Sequence, residues 1–233
     1  MELTTDFRSR SLFLQKYIQF PRFSALLRLS VKYEMGGVRK ILVHRAQKHY
    51  PVGMSDYEEI MKEHGTAATA AFALPPHANE VLKLFWECDV KQCLPVAFYE
   101  ATVRGVNSLT SSRPKVSLPP QVFTPALRAL ALFNHKRVEH VRSALGPVRN
   151  CTRCGFENLV HIEHSLLPSK VDLSLSPLRD PSSGPEATLT LCVRCTEVVT
   201  KVDRAFRNEF WDELPGMFGL PAWKELSKFV ILK

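Results

Sequence analysis

Apolar residues recur every three or four positions through most of the chain, which is the spacing of α-helices that bury one face. The first stretch with this pattern predicts a helix over 11–20, which Pro21 interrupts. A second helix is predicted over 23–33, where apolar side chains fall at the helical interval. The Gly36-Gly37 pair breaks that helix, and a third helix is expected from Val38 onward.

The next elements are short, with tight connections. Ser55 is placed to cap the N-terminus of a helix. An alanine-rich stretch within 64–76 favours a weak helix or a linker. Another helix is predicted over 79–88. Pro95 suits the first turn of the following helix, where its missing N–H costs little, and that helix is expected to end near Gly105.

The longest predicted helix covers about 125–145. Thr124 and Pro125 are typical of an N-cap and a first helical position, and Gly146 with Pro147 is typical of a helix end. Its predicted apolar stripe consists of Leu127, Leu130, Ala131, Asn134, Val138, Val141 and Leu145.

Two stretches rich in serine and proline, 107–120 and 168–188, are predicted loops. A last helical run is expected over 196–213. The tail that follows is aromatic, and a role in closing a core is favoured over stacking on a ligand for Trp211, Phe218 and Trp223.

Two cysteine pairs carry the strongest chemical signal of the chain. Cys151 and Cys154 form one C-x-x-C pair, and Cys192 and Cys195 form another, with 37 residues between the pairs. This spacing lets two thiolates of one turn reach the same ion, and four thiolates complete a tetrahedral zinc site. The second pair opens a predicted helix, whose dipole favours negative charge at that end. A structural zinc ion that links the pairs is the favoured interpretation.

Other interpretations of these cysteines stay open. The two pairs could be reduced, half-buried thiols, or each could form its own disulfide. His161 and His164 have a spacing that could supply a ligand if one cysteine were too distant. Cys88 and Cys93 lie on or between apolar helices and are expected to be buried small hydrophobic residues.

Charge is unevenly distributed along the 233 residues. The net charge is +8, and residues 1–50 carry ten Lys or Arg against three Asp or Glu. A basic end can bind nucleic acid, although charges spread along helices are also typical of solvated surfaces.

Several classes of function lack support in the sequence. There is no apolar run of the roughly 20 residues that cross a bilayer, and the acidic start does not resemble a secretory signal. We therefore expect an intracellular protein, in the cytoplasm or nucleus, whose thiols stay reduced. Phosphate-binding and nucleophile motifs such as G-x-x-x-x-G-K-[ST] and G-x-S-x-G are absent, so no catalytic residues are predicted and an enzyme is not expected.

One region of the chain resembles a known family. Its residues are Phe23-x2-Leu26-Leu27-Arg28-Leu29-x2-Lys32-Tyr33, then Val38-Arg39, Ala46 and Tyr50-Pro51. This region, about 20–60, is similar to the C-terminal helices of BTB/POZ domains of the type found in basidiomycete fungi. The segments 80–100 and 211–226 resemble the helical region that follows the domain in those proteins. The strand-rich first half of a BTB domain is missing, since it has no room before residue 20.

The sequence thus predicts a mainly α protein, a helical array with a small cysteine-bearing C-terminal region. Three regions are expected: BTB-like helices over 1–64, a helical region over 65–147 and the cysteine-pair region over 148–233. The resemblance implies a non-catalytic protein-interaction or adaptor module, able to bind partner proteins or itself. The alternative is a zinc-containing, transcription-related protein that binds nucleic acid through the basic N-terminal region.

Overall fold

The computed structural model describes residues 18–72, 77–110, 117–149, 151–154, 178 and 191–229. These ranges are helical and contain no β-strand; Ile18 and Phe72 form an isolated bridge. The mainly α fold is therefore confirmed. The α-helices are α1 (Phe20–Lys32), α2 (Gly36–Gln47), α3 (Met54–His64), α4 (Ala67–Ala71), α5 (Ala78–Glu87), α6 (Leu94–Thr102), α7 (Val106–Leu109), α8 (Pro120–Arg149), α9 (Val193–Met217) and α10 (Trp223–Leu226).

The first two helices form a hairpin whose ends differ from the prediction. Pro21 lies in the first turn of α1, so this proline starts a helix and does not interrupt one. Most of the helix predicted over 11–20 falls outside the described residues. Gly36 and Gly37 are the first two residues of α2 and do not break the chain before it. The reversal is instead made just before them, where Glu34 adopts a φ of 51°.

Two predictions about α3 and α4 have different outcomes. Gly53, with extended backbone, precedes the first residue of α3, so the prediction of Ser55 as N-cap is wrong. Gly65 ends α3 with a φ of 74°, a left-handed conformation that glycine adopts without steric cost. The alanine-rich stretch does form a short helix, α4.

Helix α6 is the central element of the fold, because all nine of its residues are buried. A helix that is apolar on every side is stable only inside a core. Pro95 lies in its first turn, as predicted, but α6 ends at Thr102 before Gly105 takes a φ of 80°. Part of the loop predicted over 107–120 is helical, as α7.

One continuous core surrounds α6 and includes side chains from Ile18 to Phe218. Its centre is aromatic: the Phe210 ring lies 5.0 Å from the ring of Phe133 and 6.1 Å from that of Tyr99, measured between centroids. The core draws side chains from all three regions predicted along the sequence. The division into three domains stays a prediction.

Helix α8 is longer than predicted at both ends. It begins at Pro120 and continues to Arg149, so Thr124 and Pro125 do not start it and Gly146 with Pro147 does not end it. Proline lacks the N–H that would bond the carbonyl four residues earlier. For Pro125 that carbonyl belongs to Gln121, which is exposed and accessible to water.

The buried face of α8 is also rotated from the predicted stripe. Leu127 is 41% exposed, and Ala131 and Asn134 are exposed as well. The small side chains of Ala126 and Ala129 are buried instead. The described side chains that α8 buries are Val122, Ala126, Ala129, Leu130, Phe133, Ala144 and Val148.

Helices α8 and α9 pack antiparallel along their length. Phe133 contacts Phe210 near the core, and farther along α8 His140 binds Asp203. At the far end Val148 packs in one cluster with Cys195. The end of α8 therefore lies beside the start of α9.

A buried polar network fixes this pairing. The Asp203 carboxylate, 5% exposed, lies 3.1 Å from His140 Nε2 and accepts a hydrogen bond from Arg207 Nε at 2.8 Å. Arg207 also pairs with Glu58 of α3. One buried carboxylate thus links α8 to α9 and, through Arg207, to α3.

We expect replacement of Asp203 with alanine to lower the free energy of unfolding by about 3 kcal/mol, because it removes one partner of a buried ion pair. Urea denaturation measures the difference. The matched control is Glu213→Gln, which removes a partly exposed ion pair with Lys136 between the same two helices and should cost less than about 1 kcal/mol. Equal losses for both variants would contradict the role of Asp203.

The C-terminal end of α9 contains a proline that helps attach the tail. Pro215 lies inside the helix and cannot donate to the carbonyl of Trp211. That carbonyl instead accepts a hydrogen bond from the indole N–H of Trp223 at 2.6 Å, and the two indole rings stack 5.1 Å apart. Trp211 and Phe218 are buried and Trp223 packs against the core, which confirms the role predicted for these aromatic residues.

Candidate metal centre

The four cysteines of the two pairs lie together. The Sγ atoms of Cys151, Cys154, Cys192 and Cys195 are all within 4.8 Å of one another, and those of Cys151 and Cys192 are 3.7 Å apart. A zinc ion with four bonds of about 2.3 Å places its sulfur ligands about 3.8 Å apart at tetrahedral angles. The four thiols therefore have the size of a zinc tetrathiolate and could hold a metal ion.

Helix packing brings the pairs to one place. Helix α8 ends at Arg149, and a turn over 151–154 carries the first pair. Cys192 is the N-cap of α9, with φ −66° and ψ 156°, and Cys195 is the third residue of that helix. Since α8 and α9 run antiparallel, both pairs lie at the same end of the two-helix unit.

The centre has a small core of its own. Val148, Cys154 and Cys195 are buried, and Leu191 and Val199 pack against them. This cluster is separate from the main core around α6. A bound ion would therefore add cross-links where little apolar surface is available.

Backbone N–H groups and burial affect the four thiols differently. Hydrogen bonds from the backbone of Arg153 and Cys154 lower the pKa of Cys151 to about 6. The backbone N–H of Cys192 donates to Cys154 Sγ at 3.3 Å. Burial raises the pKa of Cys195 well above its usual value. Four thiolates this close repel one another strongly, so a divalent cation is what would allow all four to ionise.

The arrangement favours a structural role for the ion. Four thiolates complete a tetrahedral shell and leave no position for water or a substrate, whereas catalytic zinc keeps such a position open. All four cysteines are free thiols in the structure.

Other residues singled out in the sequence lie apart from the centre or outside the described ranges. Cys88 and Cys93 are buried in the main core, 2% and 0% exposed, as predicted. His161, His164 and most of the loop over 168–188 fall outside the described residues. Leu178 of that loop is described; it is buried, and its N–H donates to the hydroxyl of Tyr99 at 3.0 Å.

Sequence reasoning missed the polar network that holds the centre's two helices in register. The sequence analysis predicts no role for His140 or Asp203. The signal was present, because Asp203 lies four residues after Val199 and seven before Phe210, on the apolar side of the predicted helix. A lone carboxylate at such a position requires a buried partner.

Comparison with protein-family models, with curated proteins and with solved structures finds no match to this chain. Among the described residues, no helix is long and apolar enough to span a membrane.

Proposed function

We propose that the protein is a non-catalytic protein-interaction module of the adaptor kind, with a structural zinc ion that holds its cysteine end together. One observation carries the first part of the proposal. Large apolar side chains that remain exposed are concentrated on the α1–α2 hairpin.

Five of the nine exposed large hydrophobic residues among the described ones lie within 29–41. They are Leu29, Val31, Tyr33, Met35 and Ile41, which we term the hairpin patch, and Tyr33 is 62% exposed. Single exposed apolar residues are ordinary, but a group in one hairpin is typical of an interaction site.

The hairpin leaves large apolar side chains exposed in addition to those that it buries, which strengthens this interpretation. Phe23 and Leu27 of α1 and Leu42 of α2 face the core and are at most 1% exposed. Helices of a surface layer usually present polar side chains to solvent. The additional exposed apolar side chains therefore support a partner that covers them.

The resemblance to BTB/POZ proteins supports the same conclusion. It covers residues 20–60, which include the hairpin patch, and it implies protein binding or self-association. On this proposal the protein acts inside the cell, in the cytoplasm or nucleus, where the four thiols stay reduced and available to zinc. Thiolate ligands in a tetrahedral set favour zinc over magnesium or calcium.

A photo-cross-linker tests the proposed surface. We expect p-benzoylphenylalanine at position 33 to form an adduct with another polypeptide, a partner or a second copy, when cells that express the protein are irradiated. The reason is that a ring 62% exposed in the free chain would lie inside the interface. Denaturing gels and mass spectrometry identify the adduct.

The matched control places the same group at Lys62, an exposed polar position on α3. Adducts from position 33 and none from position 62 support the proposal. Adducts of equal yield from both positions, or products confined to a single chain, would contradict binding through the hairpin patch.

A further inference from the structure

The described residues on either side of the cysteines are basic. Residues 136–154 and 191–207 carry nine Lys or Arg and three Asp or Glu, a net charge of +6. Residues 155–190, which join the two ranges along the chain, carry two Lys or Arg and five Asp or Glu. Four thiolates with one Zn²⁺ contribute about −2, so the two described ranges keep a net positive charge when the metal is bound.

Several of these cations have no partner within the described part of the chain. The side chains of Arg142, Arg153, Arg194, Lys201 and Arg204 are exposed and form no ion pair there. We term these five residues the basic end.

Two of the N-terminal cations have partners. Arg28 pairs with Glu87 at 2.8 Å, and Arg39 donates to the carbonyl of Cys88 at 3.0 Å. These two arginines are thus used to pack helices together. Arg22, Lys32, Lys40 and Lys48 are also exposed and form no ion pair within the described residues. The basic end differs from this N-terminal region, the alternative nucleic-acid site that the sequence offered, in that two of its arginines lie beside the cysteines.

Two residues of the basic end lie beside the centre and two lie farther along α9. Arg153 and Arg194 are the third residues of the two C-x-R-C segments, each beside a cysteine. Neighbouring Cα atoms are about 3.8 Å apart, so both arginines begin close to the four sulfur atoms. Lys201 and Arg204 follow Arg194 at helical intervals of seven and ten residues on one face of α9, which Glu197 shares.

We propose that the basic end binds the phosphate backbone of nucleic acid. From Arg194 to Arg204 the cations extend about 15 Å along α9 at about 1.5 Å per residue. A single phosphate cannot reach cations spread over that distance, whereas a polynucleotide presents charges along its whole length. The part of the proposal that concerns Arg153 and Arg194 rests on the proposed zinc ion, because that ion would hold their two segments together, whereas Lys201 and Arg204 lie on one helix without it.

Fluorescence anisotropy of the zinc-loaded full-length protein tests the proposal. The probes are a labelled 20-base-pair DNA duplex and single-stranded DNA and RNA of the same length. With five phosphate contacts on the duplex, log K should fall against log salt with a slope of about −4.5. Affinity should then drop a few hundredfold between about 50 and 200 mM salt.

The decisive variant is Lys201→Gln with Arg204→Gln, since both residues lie away from the cysteines. It should lower the salt slope by about 2 and weaken binding at least about tenfold at low salt. The matched control, Lys62→Gln with Arg128→Gln, removes two exposed charges elsewhere and should bind as the wild type does. Arg153→Gln with Arg194→Gln should behave like the decisive variant.

Three results would overturn the proposal: no binding of any nucleic-acid probe at low salt, equal losses in the control and the decisive variant, or binding of phosphatidylserine vesicles without binding of nucleic acid.

Metal analysis of each sample separates this proposal from the zinc proposal. If the protein contains zinc but does not bind nucleic acid, only the proposal that the basic end binds nucleic acid is contradicted. If the protein contains no metal, binds nucleic acid and loses that binding with Lys201→Gln and Arg204→Gln, the zinc proposal is contradicted and binding through the basic end is supported.

Discussion

Replacement of Cys195 with serine is expected to abolish stoichiometric zinc binding. The thiol is 4% exposed and lies within 4.8 Å of the other three, so no other described side chain is placed to substitute for it. A structural zinc site contributes roughly 10 to 16 kcal/mol in small zinc-binding peptides, and one of four ligands accounts for about a quarter of that. We expect zinc affinity to fall by at least about a hundredfold. Elemental analysis after dialysis against a mild chelator measures the effect.

The structural effect of this substitution should be local. The small core around Val148 is separate from the main core, so loss of the ion should loosen the ends of α8 and α9 and leave α6 intact. Hydrogen exchange would then accelerate over 144–154 and 191–199 with little change over 94–102. Cys151→Ser and Cys192→Ser should give the same result.

Cys88→Ala provides the control, because Cys88 is a buried thiol of the main core. It should keep the zinc and exchange normally at the metal centre. Wild-type protein that contains no zinc after expression in zinc-supplied medium would refute the centre, and so would a Cys195→Ser variant that retains it.

Replacement of Phe210 with alanine is expected to cause the largest loss of stability, about 3 to 5 kcal/mol. Phe210 is fully buried, and its ring packs beside those of Tyr99 and Phe133 with centroids 6.1 and 5.0 Å away. Removing the ring loses its transfer free energy and leaves a cavity that this rigid aromatic cluster cannot fill. Denaturant unfolding monitored by circular dichroism gives the free energy.

Leu127→Ala is the informative comparison for Phe210→Ala. The sequence pattern placed Leu127 on the buried stripe of α8, but its side chain is 41% exposed. We expect a cost below about 1 kcal/mol for this substitution, since most of the leucine already contacts water. A loss as large as that of Phe210→Ala would mean that α8 packs with the predicted stripe and not with the observed one.

The contrast between these two residues shows which part of the fold was predictable. Helical periodicity identifies that α8 and α9 exist, because apolar residues every three or four positions suffice for that. It does not fix which face is buried when the helix has apolar residues on several sides. The pattern predicts Leu127 as buried, whereas the structure buries the smaller Ala126 and Ala129.

Helix ends were less predictable, because the usual signals have more than one meaning. Proline and glycine signals predict helix boundaries at Pro21, Gly36, Pro125 and Gly146. In the structure Pro21 and Gly36 start helices, and Pro125 and Gly146 lie within one. Tertiary packing along 30 residues of α8 outweighs local preferences worth about 1 to 3 kcal/mol each.

The sequence predicts the ligands of the metal centre but does not explain how the two pairs meet. The C-x-x-C spacing shows that the two thiols of one pair can approach each other. The meeting of two pairs 37 residues apart depends on the antiparallel packing of α8 and α9. That packing is fixed by distant contacts such as His140 with Asp203 and Phe133 with Phe210, which spacing alone does not reveal.

Pro215 gives the C-terminal segment an unusual coupling to the core. The proline leaves the carbonyl of Trp211 without its normal helical partner, and the indole of Trp223 takes that place. Undocking of α10 would leave an unpaired carbonyl beside buried side chains, which is costly. We therefore expect α9 and α10 to open as one cooperative unit. The amides of both helices should then share a single opening free energy, whereas the ends of a chain ordinarily fray independently of the core.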